Sequence, residues 1–190
     1  MVKKLAYVDL AEGVITVMNS DGSEPVKVAE WKGKGDITRL AWSPDSTRLV
    51  YIVMVTAESE TPLPQLRRVN ADGSGDRELA FWDVVLSEQQ PELAWSPNGR
   101  WILVYASMKE TPRAIQPFAF RSDGSNYQIL AKTSMDAPAS WSPDSQRVAY
   151  YSLLNPGDLI PSLTLYSLNG SHKTIGMTAY SIDMYHPVNA

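Results

Sequence analysis

The residues with types suited to chemistry are few in this 190-residue chain, and they are widely spaced. His172 and His186 could form a metal pair only if two different segments brought their imidazoles together; surface or turn positions account for them more simply. Asp21, Asp72 and Asp123 offer carboxylates, yet each precedes Gly-Ser, where an Asp side chain hydrogen-bonds the backbone of its own turn. No Gly-x-Ser-x-Gly elbow anchors a hydrolase triad. Gly33-Lys34-Gly35 lacks the spacing of a phosphate loop, and Asn169-Gly170-Ser171, although it fits a glycosylation acceptor, reads first as a turn. No cofactor and no metal is expected from this set, and no catalytic residue. Six residues remain: Trp31, Trp82, Glu58, Glu60, Lys109 and Arg113. Two aromatics with a charged rim are the chemistry of recognition. Variable solvated loops are the competing explanation for them.

The elements that must position these residues come from a repeat. Leu40-Ala41-Trp42-Ser43-Pro44-Asp45-Ser46 returns as Leu93-Ala94-Trp95-Ser96-Pro97-Asn98-Gly99 and as Ala139-Ser140-Trp141-Ser142-Pro143-Asp144-Ser145, with a worn copy at Asp183-Met184-Tyr185-His186-Pro187. Recurrence every 44 to 53 residues marks one structural unit copied and stacked. Each unit reads as four strands, a to d. Strand a ends in the Trp-Ser-Pro motif, and strand b carries Leu5-Ala6-Tyr7, Leu49-Val50-Tyr51, Leu103-Val104-Tyr105 or Val148-Ala149-Tyr150. Strand c (Val14–Met18, Leu66–Val69, Pro117–Phe120, Leu163–Tyr166) closes in Asp-Gly-Ser or Asn-Gly-Ser. Strand d follows (Val26–Ala29, Arg77–Phe81, Tyr127–Ala131, Lys173–Met177). Short segments rich in β-branched and aromatic residues, punctuated by Gly, Pro and Asp, predict strands. Only Ser87–Gln90 suggests a helical turn. Gly99 suits a left-handed position after Ser-Pro-Asn; Ser46 and Ser145 in that place predict strain or a different turn. Trp42, Trp95 and Trp141, with Tyr7, Tyr51, Tyr105 and Tyr150, recur once per unit and are read as packing.

Spacing separates two ends of the sheets. From motif Trp to Tyr is 9, 10 and 9 residues, so the a–b turn is tight, whereas Tyr to the turn Asp or Asn is 14, 21, 18 and 19. The b–c and d–a connections therefore vary, and they emerge together, opposite the a–b and c–d turns. Thr56–Gln65, with Glu58 and Glu60, and Ser107–Arg113, with Lys109 and Arg113, are b–c connections; Trp31 and Trp82 end d strands at the same side. Binding usually sits on such irregular loops.

Hydrophobic residues make up 44% and charged residues 20%, the proportions of a globular domain rather than a disordered or membrane chain. The net charge is −4 with no basic stripe, so nucleic acid is not expected as a partner. No apolar run nears the roughly 20 residues of a membrane helix, and the N-terminal segment does not read as a signal peptide. There is no cysteine, which excludes disulfides and thiol chemistry without fixing a compartment.

Trp-Ser-Pro-Asp, an apolar-Tyr strand and Asp-Gly-Ser, in that order, resemble the WD-repeat-like β-propeller repeat of the TolB-like family. Two of the three motif copies carry Ser where that repeat usually carries Gly. The resemblance implies an all-β propeller, extracytoplasmic (periplasmic or extracellular) and non-catalytic, although related propellers accompany hydrolase domains and some relatives are polysaccharide lyases. The chain is thus expected to be a single domain over 1–190, with four blades of four antiparallel strands (1–30 plus 179–190, 36–83, 90–132 and 136–178). N- and C-terminal strands would close it. The leading reading is a binding or scaffold module, monomer or homodimer, for a protein, peptide or glycan. The alternatives are an enzyme or accessory propeller with a site in the central channel, and a fragment or subunit of a larger propeller.

Overall fold

Short runs rich in β-branched and aromatic residues, broken by turn residues, form paired strands, and the central ones, such as 48–55, are apolar on both faces and bury both. The computed structural model describes residues 4–56, 62–81, 84–86, 93–108, 115–130, 139–152 and 162–175. They form four antiparallel sheets. The first has strands β1 (Lys4–Asp9), β2 (Val14–Asn19) and β3 (Val26–Glu30). The second runs β4 (Gly35–Trp42), β5 (Arg48–Val55), β6 (Leu63–Asn70), β7 (Arg77–Phe81). In the third, β8 (Val84–Leu86) and β9 (Leu93–Trp95) both pair with β10 (Trp101–Met108), followed by β11 (Ile115–Arg121) and β12 (Tyr127–Ile129). The fourth holds β13 (Ser140–Trp141), β14 (Arg147–Ser152), β15 (Ser162–Ser167) and β16 (His172–Ile175). The a-to-d order read from the repeats is therefore the observed one in the second, third and fourth sheets, and the first shows strands b to d among the described residues. The third copy differs in that its strand a is split in two, and its sheet reaches back to Val84.

The chain divides into two compact units, the first holding sheets one and two and the second holding sheets three and four. Within the first, Ile15, Val17 and Val28 pack against Ile37, Leu49, Tyr51, Val53 and Val69. Within the second, Leu103, Tyr105, Ala119 and Leu130 pack against Trp141, Val148 and Tyr150. The motif tryptophans are thus packing residues, as expected: Trp42 borders the first core, Trp141 lies in the second, and Trp95 is buried.

Two tyrosines depart from the repeat. Register pairs Trp42 with Leu49, Trp95 with Ile102 and Trp141 with Val148. Two residues along the strand, the same face carries Tyr51 and Tyr150, but in the third sheet it carries Val104. Tyr105 comes one residue later and points to the opposite face, because a one-residue slip inverts a side chain in a strand. Tyr105 is still buried in the core, as expected, and the packing reading fails only at Tyr7. It was expected to pack like its counterparts, but it is exposed on β1, which among the described residues is an edge strand of its sheet. The proposed closing strand Ser181–Pro187 and the helical turn at Ser87–Gln90 lie outside the described residues.

The a–b turns are built alike. Ser43 N–H donates to the Arg48 carbonyl (2.8 Å) and Ser46 N–H to the Ser43 carbonyl (2.8 Å). The Ser43 hydroxyl donates to Asp45 Oδ1 (2.6 Å) and accepts the Arg48 N–H (2.9 Å), while Asp45 Oδ1 also accepts Thr47 N–H (3.1 Å). Ser142, Asp144 and Arg147 repeat this pattern, and Asn98 replaces the carboxylate for Ser96 and Arg100. The residue after Asp or Asn is left-handed in all three: φ is 57° at Ser46, 67° at Gly99 and 59° at Ser145. The turn is thus the same in each copy, and the two serines carry the anticipated strain. At the c–d turns Asp21, Asp72 and Asn169 each accept the N–H and the hydroxyl of the serine two residues on, at 2.9 and 2.6 Å in the case of Ser74. Asp123 accepts the Ser125 N–H in the same way. Gly73, at φ 86°, supplies the left-handed step such a hairpin needs.

Two predictions follow from the turns. Ser46→Gly should stabilise the protein by about 0.5–1 kcal/mol in chemical denaturation, because the left-handed strain is relieved. Ser145→Gly should give no such gain, since the Ser145 hydroxyl accepts the Asn98 N–H (2.9 Å) from the neighbouring turn, and that donor would be orphaned. The second concerns acid. The Ser43 and Ser142 hydroxyls, followed by the turn N–H groups and the nearby arginines, hold the Asp45 and Asp144 carboxyls below their ordinary range. A depressed folded-state value contributes stability that is complete above the unfolded pKa, about 4, and drains away as pH falls toward the folded value. Asp45→Asn with Asp144→Asn copies the Asn98 turn and should flatten the fall of Tm below about pH 4. Parallel Tm–pH curves for the variant and the parent would contradict this.

Candidate functional site

Of the six residues singled out for recognition, Trp31 is described; Trp82, Glu58, Glu60, Lys109 and Arg113 lie outside the described residues. Trp31 follows β3 at the end where the b–c and d–a connections emerge. Its N–H donates to the Gly13 carbonyl (2.8 Å), and its half-buried ring packs against the core of the first unit. Gly33 lies close under the ring: a Cβ there would come within 2.7 Å of Cζ2. The indole Nε1 is buried and has no hydrogen-bond partner among the described residues.

Arg67 of β6 lies over the Trp31 ring, 5.8 Å from its centroid, and ties the tryptophan to a polar network. β6 pairs with β5 so that Arg67 stands opposite Tyr51. The Tyr51 hydroxyl donates to Asp76 Oδ1 (2.7 Å) and accepts from Arg67 Nε (3.0 Å). Arg67 Nη2 reaches Asp76 Oδ1 at 3.2 Å, Nη1 donates to Gln65 Oε1 (3.1 Å), and Gln65 Nε2 donates to Glu78 Oε2 (2.6 Å). Burial and then the Asp76 carboxylate push the Tyr51 phenol far above its ordinary pKa, so it is a fixed donor. Burial pulls the Arg67 guanidinium down, but its Tyr51 and Asp76 partners more than compensate and leave its pKa raised. Residue types and repeat spacing did not reveal this network. The signal available was non-recurrence: Asp76 lies four residues after the turn Asp72, where the other copies have Pro25, Tyr127 and Lys173. In the second unit Tyr150 plays a related part. Its hydroxyl donates to the Leu130 carbonyl (2.9 Å), and burial, then Tyr166, raise its pKa to about 12.

At the opposite end of the first unit an open cleft of about 660 Å³ lies beside the Ser46–Arg48 and Asn70–Asp72 turns. Lys4, Arg48 and Asp72 charge its walls, and Val26 adds exposed apolar surface. His172 is exposed on β16, and His186 lies outside the described residues. Among the described residues no three His, Cys, Asp or Glu side chains converge as a metal site would require.

The fold identifies the class of protein. The chain superposes on an oligogalacturonate lyase solved in complex with manganese, with a TM-score of 0.63 and 18% identity over 87% of this chain and 45% of that one. It superposes equally on puromycin hydrolase, with a TM-score of 0.63 and 16% identity over 90% and 28%. The β-propeller domain of the Trilobed protease from Pyrococcus furiosus, reported to have an open velcro topology, matches with a TM-score of 0.58 and 11% identity over 93% and 53%. No protein-family model and no curated sequence matches the chain. The fold is that of a β-propeller, in keeping with the TolB-like resemblance of the repeats. The chain spans about half or less of the length of these structures.

Removing the Tyr51 hydroxyl isolates the network experimentally. Tyr51→Phe should cost about 1–2 kcal/mol in urea unfolding, because Asp76 loses a donor in a partly desolvated site. The same change in an Asp76→Ala background should cost clearly less; equal costs would show that the two groups are not coupled.

Proposed function

We propose that the chain is a non-catalytic binding or scaffold module that recognises a protein, peptide or glycan through the end of the sheets where the b–c and d–a connections emerge. One observation carries this reading: the two ends are under different constraints. The a–b connections are residues 43–47, 96–100 and 142–146, equal in length and hydrogen-bonded alike. At the other end the connections range from residues 31–34 to 130–139. Constant turns are what strand pairing demands, whereas divergent connections on a rigid frame are where recognition residues accumulate. Trp82 and the charged residues Glu58, Glu60, Lys109 and Arg113 belong to these connections. Trp31 contributes the rim it shares with Arg67.

The test is a glycan and peptide array probed with the parent chain, then titration of the best hit with Trp82→Ala and with Arg113→Ala. Each should weaken binding about tenfold or more while leaving the unfolding transition in place. Trp31→Ala is the poorer probe, because that ring also packs on the core. Affinity unchanged in both variants removes this end from consideration.

A second reading is favoured by the comparisons, in which the matched region is part of a longer hydrolase, peptidase or lyase chain. In this reading the module accompanies catalysis and presents substrate to a site elsewhere. Cleavage of oligogalacturonate by the isolated chain in the presence of manganese would favour an enzyme in its own right.

A further inference from the structure

The cleft of about 660 Å³ in the first unit has walls from both of its sheets. On β1, Ala6 and Val8 pack against the shared core, as Val17 of β2 and Val28 of β3 do within it. Lys4 alternates with Leu5 and so shares the face of Ala6. Val26 stands opposite Val17 and shares its face. Both lie two residues beyond the packed positions, and there they line the cleft. The second sheet supplies the other wall, with Ser46 and Arg48 from its a–b turn and Asn70 and Asp72 from its c–d turn. These turns are held in place. Ala71 N–H donates to the Thr47 carbonyl (2.8 Å), and Gly73 approaches β3 so closely that a Cβ would lie 3.4 Å from the Lys27 carbonyl oxygen. The cleft is therefore preformed.

Its polar groups are of two kinds. Lys4 makes no ion pair among the described residues, and Arg48 adds a second cation, held through one Nη on Asp45 (3.2 Å). Asp72 and Asn70 are acceptors. Asp72 takes the Ser74 N–H and hydroxyl on the same oxygen, Oδ1 (2.9 and 2.6 Å), and turns no bond to Oδ2. The Ser74 hydroxyl, then its N–H, hold the Asp72 carboxyl below its ordinary range, so this wall is anionic at neutral pH. Asn70 Nδ2 donates to Ser74 Oγ (2.9 Å), which leaves Asn70 Oδ1 as an acceptor.

We infer that this cleft binds a small dipolar molecule: an oxyanion, carboxylate or phosphate, held by Lys4 and Arg48, and a hydroxyl or ammonium group donating to Asp72 and Asn70. A bare anion would meet the Asp72 carboxylate with nothing to offer it. A bare polyol would leave Lys4 unanswered. A ligand carrying both groups satisfies both kinds of wall, and the volume is that of a small-molecule site. The cleft lies at the end of the sheets opposite the recognition surface proposed above, so it stands or falls separately from that reading.

The experiment is an amide NMR titration of the full chain at fixed ionic strength, so that general screening does not vary. The probes are serine, glycerol 3-phosphate, inorganic phosphate and glycerol. Serine or glycerol 3-phosphate should bind saturably and shift the Ser46, Asn70 and Ala71 amides; the tighter of the two decides between carboxylate and phosphate. Inorganic phosphate should bind about tenfold more weakly, and glycerol should produce no shift. Lys4→Gln should weaken the better ligand about tenfold. Asp72→Asn should do the same with the fold intact, because Asn169 builds the same hairpin with an amide. Lys27→Gln, whose cation is already paired with Glu30, should leave binding unchanged. The inference is overturned if neither dipolar probe shifts those amides, if inorganic phosphate binds as tightly as both, or if binding is indifferent to Lys4→Gln and Asp72→Asn.

Discussion

Everything in this molecule depends on a sheet of three or four short strands being unable to bury its own faces. Such a sheet has apolar side chains on both sides and too few strands to fold over them, so it is stable only against another sheet. Each unit satisfies that requirement by stacking two sheets through their b and c strands, with Leu49, Tyr51 and Val69 in one core and Leu103, Tyr105 and Tyr150 in the other. The first sheet meets the requirement on its face toward the second, while Leu5 and Tyr7 on its other face are exposed.

Stacking is possible only if strands turn back on themselves without leaving buried polar groups unpaired. The Ser-Pro-Asp and Asp-Gly-Ser turns meet this demand with very few atoms. One serine hydroxyl and one carboxylate oxygen satisfy the turn N–H groups, and the arrangement is rigid enough to hold Ser46 and Ser145 in a left-handed backbone. Asn98 with Gly99 shows that the geometry, rather than the charge, is what the turn conserves within this chain.

The polar network around Arg67 shows the same economy at a level the repeat does not encode. Arg67, Asp76, Gln65 and Glu78 surround a buried phenol within the second sheet, and the Arg67 guanidinium over the Trp31 ring adds a cation–π contact between the first two sheets to their packing. A tryptophan that reads as a free recognition residue is therefore partly committed to holding its own unit together.

Local chemistry made strands, turns and their order legible in the amino-acid sequence, because β-branched and aromatic content and Gly, Pro and Asp placement act within a few residues. The Asp-Gly-Ser hairpins, the packing role of Trp141 and the strain at Ser46 and Ser145 were all readable on that basis. The facing of Tyr105, the exposure of Tyr7, the split of strand a into β8 and β9, and the meeting of Arg67 with Asp76 and Trp31 were not. Each of these depends on register between strands or on which sheet lies across from which, and those are relations between residues far apart in the chain that no local pattern specifies. The repeat determined what each sheet is made of; tertiary stacking alone decided which of its faces are covered.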